Sequence, residues 1–467
     1  MTIVVLIGSL LLILYVTALM YWQRKFPELR WDWDEIDVND IKFPSNFLWG
    51  VATAAHQVEG NCDNNNWSAW ENAVDASGQP RIKHGQKAGL ACDHWNRYRE
   101  DIKLMQALGV KAYRFSVEWS KIEPNEGEVN AAAMRHYREV CEDLLAAGIQ
   151  PMITLHHFTQ PLWFDRLGAF EQERNIPWFA RFCENVFQEL HDLVPTWCTI
   201  NEPEVYAAQG YFTGLFPPGK KDANAAGLVL KNLLEAHVQA YHALKRLPGG
   251  AQAHIGFAKN IFQFDPYRYW HPADWILSRR LNLLFNDSIF GFFNEGHFEF
   301  HVPGFVDLRH HNAAAVNALD FIGLNYYSHF HVKLKWDRQA PFTFAYPPNQ
   351  IMTDMPFAVY PEGFYRAVKE ISRLNAPIYV TENGIADAKD DRSELFIRRY
   401  LYALSQALKA GYEVRGYFYW SLLDNFEWAE GFDMKFGLYE VDFATQKRQL
   451  REGARCFVEI VKGDAAS

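Results

Sequence analysis

Short apolar runs alternate along this chain with longer segments whose apolar residues recur at helical spacing. Runs at 111–119, 150–157, 194–200, 254–260, 319–327, 377–382 and 414–422 are apolar on both alternate positions. Such runs fit strands buried on both faces. An eighth, at 43–55, opens the series. Between them, 90–108, 130–147, 177–193, 228–247, 363–374 and 393–409 carry helical patterning, the first two stopped by Gly109 and Gly148. A long irregular insertion is expected after the fifth strand, at 260–318, and another at 333–358. Eight buried strands alternating with helices predict an α/β fold with a parallel sheet closed into a (β/α)8 TIM barrel. A doubly wound open sheet is the alternative. No GxGxxG turn follows the first strand, which weakens a dinucleotide-binding version.

Two strand ends stand out. The run at 194–200 ends in Asn201-Glu202-Pro203, where proline stops the strand. The run at 377–381 ends in Glu382-Asn383-Gly384. In such barrels the carboxyl ends of the strands carry the chemistry. Two glutamates there fit glycosidic cleavage, in which one carboxyl protonates the leaving oxygen and the other meets the sugar cation on its opposite face. The pair alone is weak, because acidic strand ends also cap helices or bind Mg2+. Its company strengthens it. Gln57, Arg114, His157, Asn201, Asn325, Tyr327, Trp420, Glu427 and Trp428 also follow strands. Polar donors and acceptors beside tryptophans suit a polyol with an apolar ring face.

The first residues break the alternation. Residues 2–22 are apolar and uncharged, the length of a bilayer span. No basic n-region precedes the run and no clear peptidase site follows it, so a retained transmembrane helix is expected. Arg24 and Lys25 follow directly. The positive-inside rule then expects the bulk of the chain in the cytoplasm. Residues 23–42 read as an acidic juxtamembrane linker, a spacer and not a second anchor. Residues 43–461 form the barrel domain and 462–467 a polar tail.

The formal net charge of −10 argues against a nucleic-acid partner. Six cysteines, none in a CxxC pair, read as reduced core residues. The sequons at Asn66 and Asn286 are then chance. His310-His311 and His329/His331 lack a carboxylate or cysteine at ligand spacing and read as solvated loop histidines. Trp33, Trp270 and Trp275 read as core or loop packing.

Six motifs now combine. They are Phe-Leu-Trp-Gly-Val-Ala-Thr-Ala-Ala-His-Gln-Val-Glu-Gly at 47–60, Tyr-Arg-Phe-Ser-Val-Glu-Trp-Ser at 113–120 and Thr-Ile-Asn-Glu-Pro at 199–203. Gly-Leu-Asn-Tyr-Tyr at 323–327, Val-Thr-Glu-Asn-Gly at 380–384 and Trp-Ser-Leu-Leu-Asp-Asn-Phe-Glu-Trp at 420–428 complete them. In this order the chain resembles the family-one glycoside hydrolases, the β-glucosidase family, from about residue 43 to 461. The resemblance implies that Glu202 is the general acid/base and Glu382 the nucleophile of a retaining reaction. It implies Arg114 and Tyr327 as supports of the nucleophile, with Arg114 keeping Glu382 ionised and its pKa low. It implies Asn201 as the contact to the sugar 2-hydroxyl. Gln57, His157, Glu427 and Trp428 match ligands of the outer hydroxyls, and Trp420 the aromatic floor. Asn325 joins the substrate-binding group.

The chain departs from the family pattern at two places. The usual His-Trp-Asp-Leu-Pro reads His157-Phe158-Thr159-Gln160-Pro161, and the usual Trp-Ser-Arg reads Trp119-Ser120-Lys121. Both put subsite shape in question and leave the glutamates untouched. One of His156 and His157 is expected to be a core or supporting histidine. Glu427 would repel a 6-phosphate. The resemblance therefore implies hydrolysis of terminal β-D-glucosyl residues, with β-galactosyl or β-fucosyl as further substrates, without metal or organic cofactor. Two alternatives stay open: a membrane glycolipid glycosidase or transglycosylase, and a catalytically silent binding protein on the same fold.

Overall fold

The structure, a computed structural model, describes residues 2–337 and 342–464. Eight parallel strands close into a barrel: β1 (Leu48–Thr53), β2 (Ala112–Ser116), β3 (Gln150–His156), β4 (Thr196–Asn201), β5 (His254–Asn260), β6 (Phe321–Asn325), β7 (Ile378–Asn383) and β8 (Val414–Trp420). Each pairs with its sequence neighbours, and β1 closes the ring against β8. Nearly every strand residue is buried, as the unbroken apolar runs require.

The covering helices follow the expected pattern with shifted ends. Ile176–Leu190 buries Phe179, Phe182, Cys183, Val186 and Phe187, a stripe at three- and four-residue spacing. It packs on Ala223–Arg246. Each such apolar side chain contributes roughly 1.5–3 kcal/mol. Asn130 caps Ala131–Ala146 by accepting from the N–H groups of Ala132 and Ala133, and Asp222 caps Ala223–Arg246 in the same way. All six cysteines are free and buried. Both sequon asparagines are buried too, Asn286 against the Lys259 ammonium at 2.8 Å.

The insertion after β5 is not irregular. It holds a strand (Gln263–Pro266), two helices (Pro272–Asn282 and Ser288–Glu295) and a hairpin (His297–Val302 with Val306–His311). Its strand joins His329–Leu334 and Phe342–Ala345 in a three-stranded sheet beyond the barrel's carboxyl end. Pairing with a segment 66 residues away leaves little local periodicity to read.

Among the described residues one helix, α1 (Thr2–Lys25), is long and apolar enough to cross a membrane. Its side chains are largely exposed, with Ile3 at 72% and Leu12 at 62%. Its last turns meet the insertion, where Trp22 stacks on Trp275 at 6.0 Å and the Tyr15 hydroxyl donates to the Trp270 carbonyl. The acidic segment that follows is not a free spacer. The N–H of Trp31 and the indole N–H of Trp33 both donate to Glu362, at 2.9 and 3.0 Å. Tyr360 donates to the Leu29 carbonyl at 2.9 Å, and Lys409 pairs with Asp40 at 3.3 Å. Interleaved aromatics let an acid-rich stretch lie on the barrel, because only Glu28 among its acids is deeply covered. Of the polar tail, residues 465–467 lie outside the described residues.

Candidate active site

The two glutamates leave their strands differently. β4 ends in a left-handed turn at Glu202, with φ 46° and ψ 62°, and Pro203 starts the next helix. A side chain in this region costs about 1 kcal/mol or more, a cost met at functional sites. The turn carries Glu202 off the strand while its N–H donates to the Ala258 carbonyl on β5 at 2.8 Å. Glu382 stays in β7, opposite Asn325 on β6, beside a register shift in that pairing. Gly384 then lets β7 press on β8, since a Cβ there would lie 1.7 Å from the Trp420 carbonyl oxygen.

One buried guanidinium ties the strand ends together. Arg114 on β2 donates to Thr154 on β3 at 3.1 Å, to Asn201 on β4 at 2.6 Å and to Glu382 on β7 at 2.6 Å. It also meets the Thr381 carbonyl at 3.1 Å. A planar fork with fixed donors joins three other strands to its own, which an ammonium could not do. Tyr327 donates to the other oxygen of Glu382 at 2.8 Å.

Glu202 takes only amides. Asn325 and Asn260 each donate to its Oε1 at 2.8 Å. Among the described residues it has no ion-pair partner. Burial, then the charge of Glu382, pushes its carboxyl well above the ordinary range, against those amides. Burial raises Glu382 as well, opposed by Arg114 and Tyr327. Arg114 therefore does not bring Glu382 to a low pKa, contrary to the sequence-based expectation. It makes Glu382 the more readily ionised of the pair. Burial and the Glu382 charge hold Tyr327 well above its ordinary value, so its hydroxyl keeps its proton.

The remaining residues line the same end. Asn201 passes the Arg114 contact on, its amide donating to Nε2 of His157 at 3.1 Å. That fixes the tautomer: Nε2 accepts, and Nδ1 carries a buried proton with no partner. Burial, followed by the Arg114 charge, keeps His157 far below its usual pKa and neutral. His156 instead faces Phe170, Phe179 and Tyr206 and belongs to the core. Gln57 donates through Nε2 to Glu427 at 3.1 Å and to the Phe426 carbonyl at 2.9 Å, leaving Oε1 buried and unpaired. Burial pushes Glu427 up to about 8, against the Gln57 hydrogen bond. Trp420 stacks on His157 at 5.7 Å, and Trp428 packs on Trp67 at 4.6 Å. Unpaired polar atoms on Gln57 and His157 beside indole faces are what a bound polyol would satisfy.

Both departures from the family pattern find local partners. Thr159 donates to Glu118 at 2.9 Å, Gln160 donates to the Tyr206 hydroxyl at 2.8 Å, and Lys121 pairs with Glu59 at 2.9 Å. Asn260 escaped the sequence reading. It is the last residue of β5, so the rule that singled out Asn201 and Asn325 applies to it equally.

Comparison with known proteins agrees with this geometry. Residues 39–465 match the profile of glycosyl hydrolase family 1. The chain is 33% identical over 455 residues to β-glucosidase A of Thermotoga maritima, covering 91% of this chain and 99% of that protein. It superposes on a β-glycosidase from Pyrococcus horikoshii with a TM-score of 0.82 at 38% identity, covering 91% and 96% of the two chains. A β-glucosidase from Thermotoga maritima in complex with galacto-hydroximolactam superposes with a TM-score of 0.80 at 31% identity, covering 91% and 99%.

Proposed function

The chain belongs to glycosyl hydrolase family 1, and from that premise we propose that it is a retaining β-glycosidase acting on terminal β-D-glucosyl residues. The observation that carries this reading is the unequal pair: Glu382 against Arg114 and Tyr327, Glu202 against amides alone. Glu382 attacks the anomeric carbon as a carboxylate, and the bond to the aglycone oxygen breaks. Glu202 delivers its proton to that oxygen, so the aglycone leaves as an alcohol. Glu202, now ionised, takes a proton from water, and the hydroxide oxygen displaces Glu382 with a second inversion. Asn201 holds the 2-hydroxyl, and its tie to Arg114 couples that contact to the nucleophile's cation. Gln57, His157, Glu427 and Trp428 hold the outer hydroxyls, Asn325 orients Glu202, and Trp420 forms the floor.

A galacto-configured ligand bound by a similar enzyme supports acceptance of β-galactosides, and β-fucosides follow by the same hydroxyl network. A second reading has its own support. The apolar helix α1 meets the insertion that follows β5, on the same end of the barrel as the glutamates. That placement favours a single-pass anchored enzyme, with Arg24 and Lys25 on the catalytic, cytoplasmic side, that meets glycolipids in the membrane. Transfer to a sugar hydroxyl instead of water is the corresponding variant. A silent binding protein is disfavoured because both carboxylates keep their partners.

The test is a rate panel on the full chain in detergent, with nitrophenyl β-glucoside, β-galactoside, β-fucoside and 6-phospho-β-glucoside, each with and without a glucosylated lipid. Fast turnover of the simple glucoside and none of the 6-phosphate supports the leading reading. Reaction of the lipid alone moves the reading to glycolipids, and silence throughout overturns both.

A further inference from the structure

The solvated-histidine reading of His329 and His331 fails: both are fully buried. They alternate on one strand, so both face the same side, and Glu28, three residues past α1, comes to meet them. We propose that Glu28, His329 and His331 form a zinc site that fastens the segment after the apolar helix to the enzyme body. One ligand atom from each of the three lies within 4.8 Å of the others. A tetrahedral zinc with bonds of about 2.1 Å sets its ligands about 3.4 Å apart. The His331 Nε2 to Glu28 Oε2 distance is 3.4 Å. Closing the third ligand takes shifts of about an ångström.

Elsewhere, His56–Glu71 and His94–Asp101 meet at 2.7 Å and His310–Glu235 at 2.6 Å, as charge-assisted hydrogen bonds do. Here His331 Nε2 and the Glu28 carboxylate stand 3.4 Å apart, and Nε2 of His329 is buried without a partner among the described residues. Orphaned buried nitrogens are rare and call for an occupant.

The surroundings are those of a metal ligand set. Asp265 accepts from His329 Nδ1 at 3.1 Å, which leaves Nε2 as the free lone pair. Asp265 is itself held by Arg366 through two hydrogen bonds, at 3.0 and 3.1 Å, so its charge is matched. The Tyr269 hydroxyl donates to Glu28, and the exposed Arg30 guanidinium pairs with the other carboxylate oxygen at 3.5 Å. Two imidazoles and one carboxylate suit Zn2+ over Ca2+ or Mg2+. The other grouping of this kind, His56 with Cys62 and Glu118, lacks a free imidazole nitrogen, because both nitrogens of His56 are taken by Glu71 and Asn65.

The experiment uses the full chain in detergent, stripped with chelator and then given Zn2+ alone, with bound metal counted by mass spectrometry after desalting. One zinc per chain is expected, with a raised melting temperature and slower proteolysis within residues 26–42. Co2+ in its place should give the visible bands of a tetrahedral site. Glu28→Gln and, separately, His329→Ala should each weaken zinc binding at least about tenfold. Glu28→Gln keeps the shape of the side chain, so it decides the matter if His329→Ala fails to fold. A wild type that retains no zinc overturns the proposal. So does zinc retained equally by both variants, which would place the ion elsewhere.

Discussion

The carboxyl ends of β4 and β7 carry the same residue and make two different groups of it. At the end of β7, Glu382 meets a guanidinium on one oxygen and a phenol on the other. At the end of β4, Glu202 meets two amides and no cation. Burial alone would raise both carboxyls alike. The cation lowers one relative to the other, so Glu382 ionises more readily than Glu202, as the proposed acid and nucleophile roles require. The character of each buried carboxyl is thus set by strand two and the turn after strand six, which supply Arg114 and Tyr327, more than by the strand it sits on.

Substitutions at five positions test the account, in falling order of effect. Glu382→Gln removes the attacking oxygen and should cut kcat by at least about 10⁴-fold on every aglycone. Glu202→Gln should cost about 10²- to 10⁴-fold, least with nitrophenyl leaving groups that need no proton. Added azide should restore turnover in that variant, because it needs no base, and should give glycosyl azide. An equal loss on activated and unactivated aglycones would remove Glu202 from the acid role. Arg114→Met should lower kcat/KM about 10²- to 10³-fold and move the acidic limb of the rate profile upward. The sign follows from protonation. Activity is lost as pH falls through the Glu382 pKa, and removing the cation raises that pKa, so the limb begins at higher pH. Tyr327→Phe should shift the same limb in the same direction with a loss of about tenfold, one hydrogen bond to a charged group being removed. Neither variant should move the alkaline limb by the same amount, since that limb follows loss of the Glu202 proton. Glu427→Gln keeps the side chain's shape and an acceptor and should raise KM by less than about tenfold, whereas Glu427→Ala should cost more through unpaired sugar hydroxyls.

The same contrast shows what could be read from the residues. The eight strands were legible because burial on both faces leaves unbroken apolar runs, and His254–Asn260 and Ser393–Lys409 fall where the pattern puts them. Site residues were legible where a motif fixes them at a strand end. Asn260 obeys that rule and was passed over because its motif is weak. The partner of Glu28 was not legible at all. Nothing local in Phe26-Pro-Glu28 announces histidines some 300 residues away, and a strand of the outer sheet looks like a polar loop when its pairing partner is distant. The nucleophile's pKa was misjudged for a related reason, because composition shows the cation but not the depth of burial that opposes it.

The central claim is that Glu382 and not Glu202 becomes covalently bonded to the sugar. The direct measurement is mass spectrometry of the enzyme after incubation with a 2-deoxy-2-fluoro-β-glucoside bearing a good leaving group, followed by proteolysis. The expected result is one added fluoroglucosyl mass per chain, on the peptide containing Glu382, with loss of activity in proportion. A label on the Glu202 peptide, or turnover of substrate by an enzyme that never acquires a label, would contradict the account.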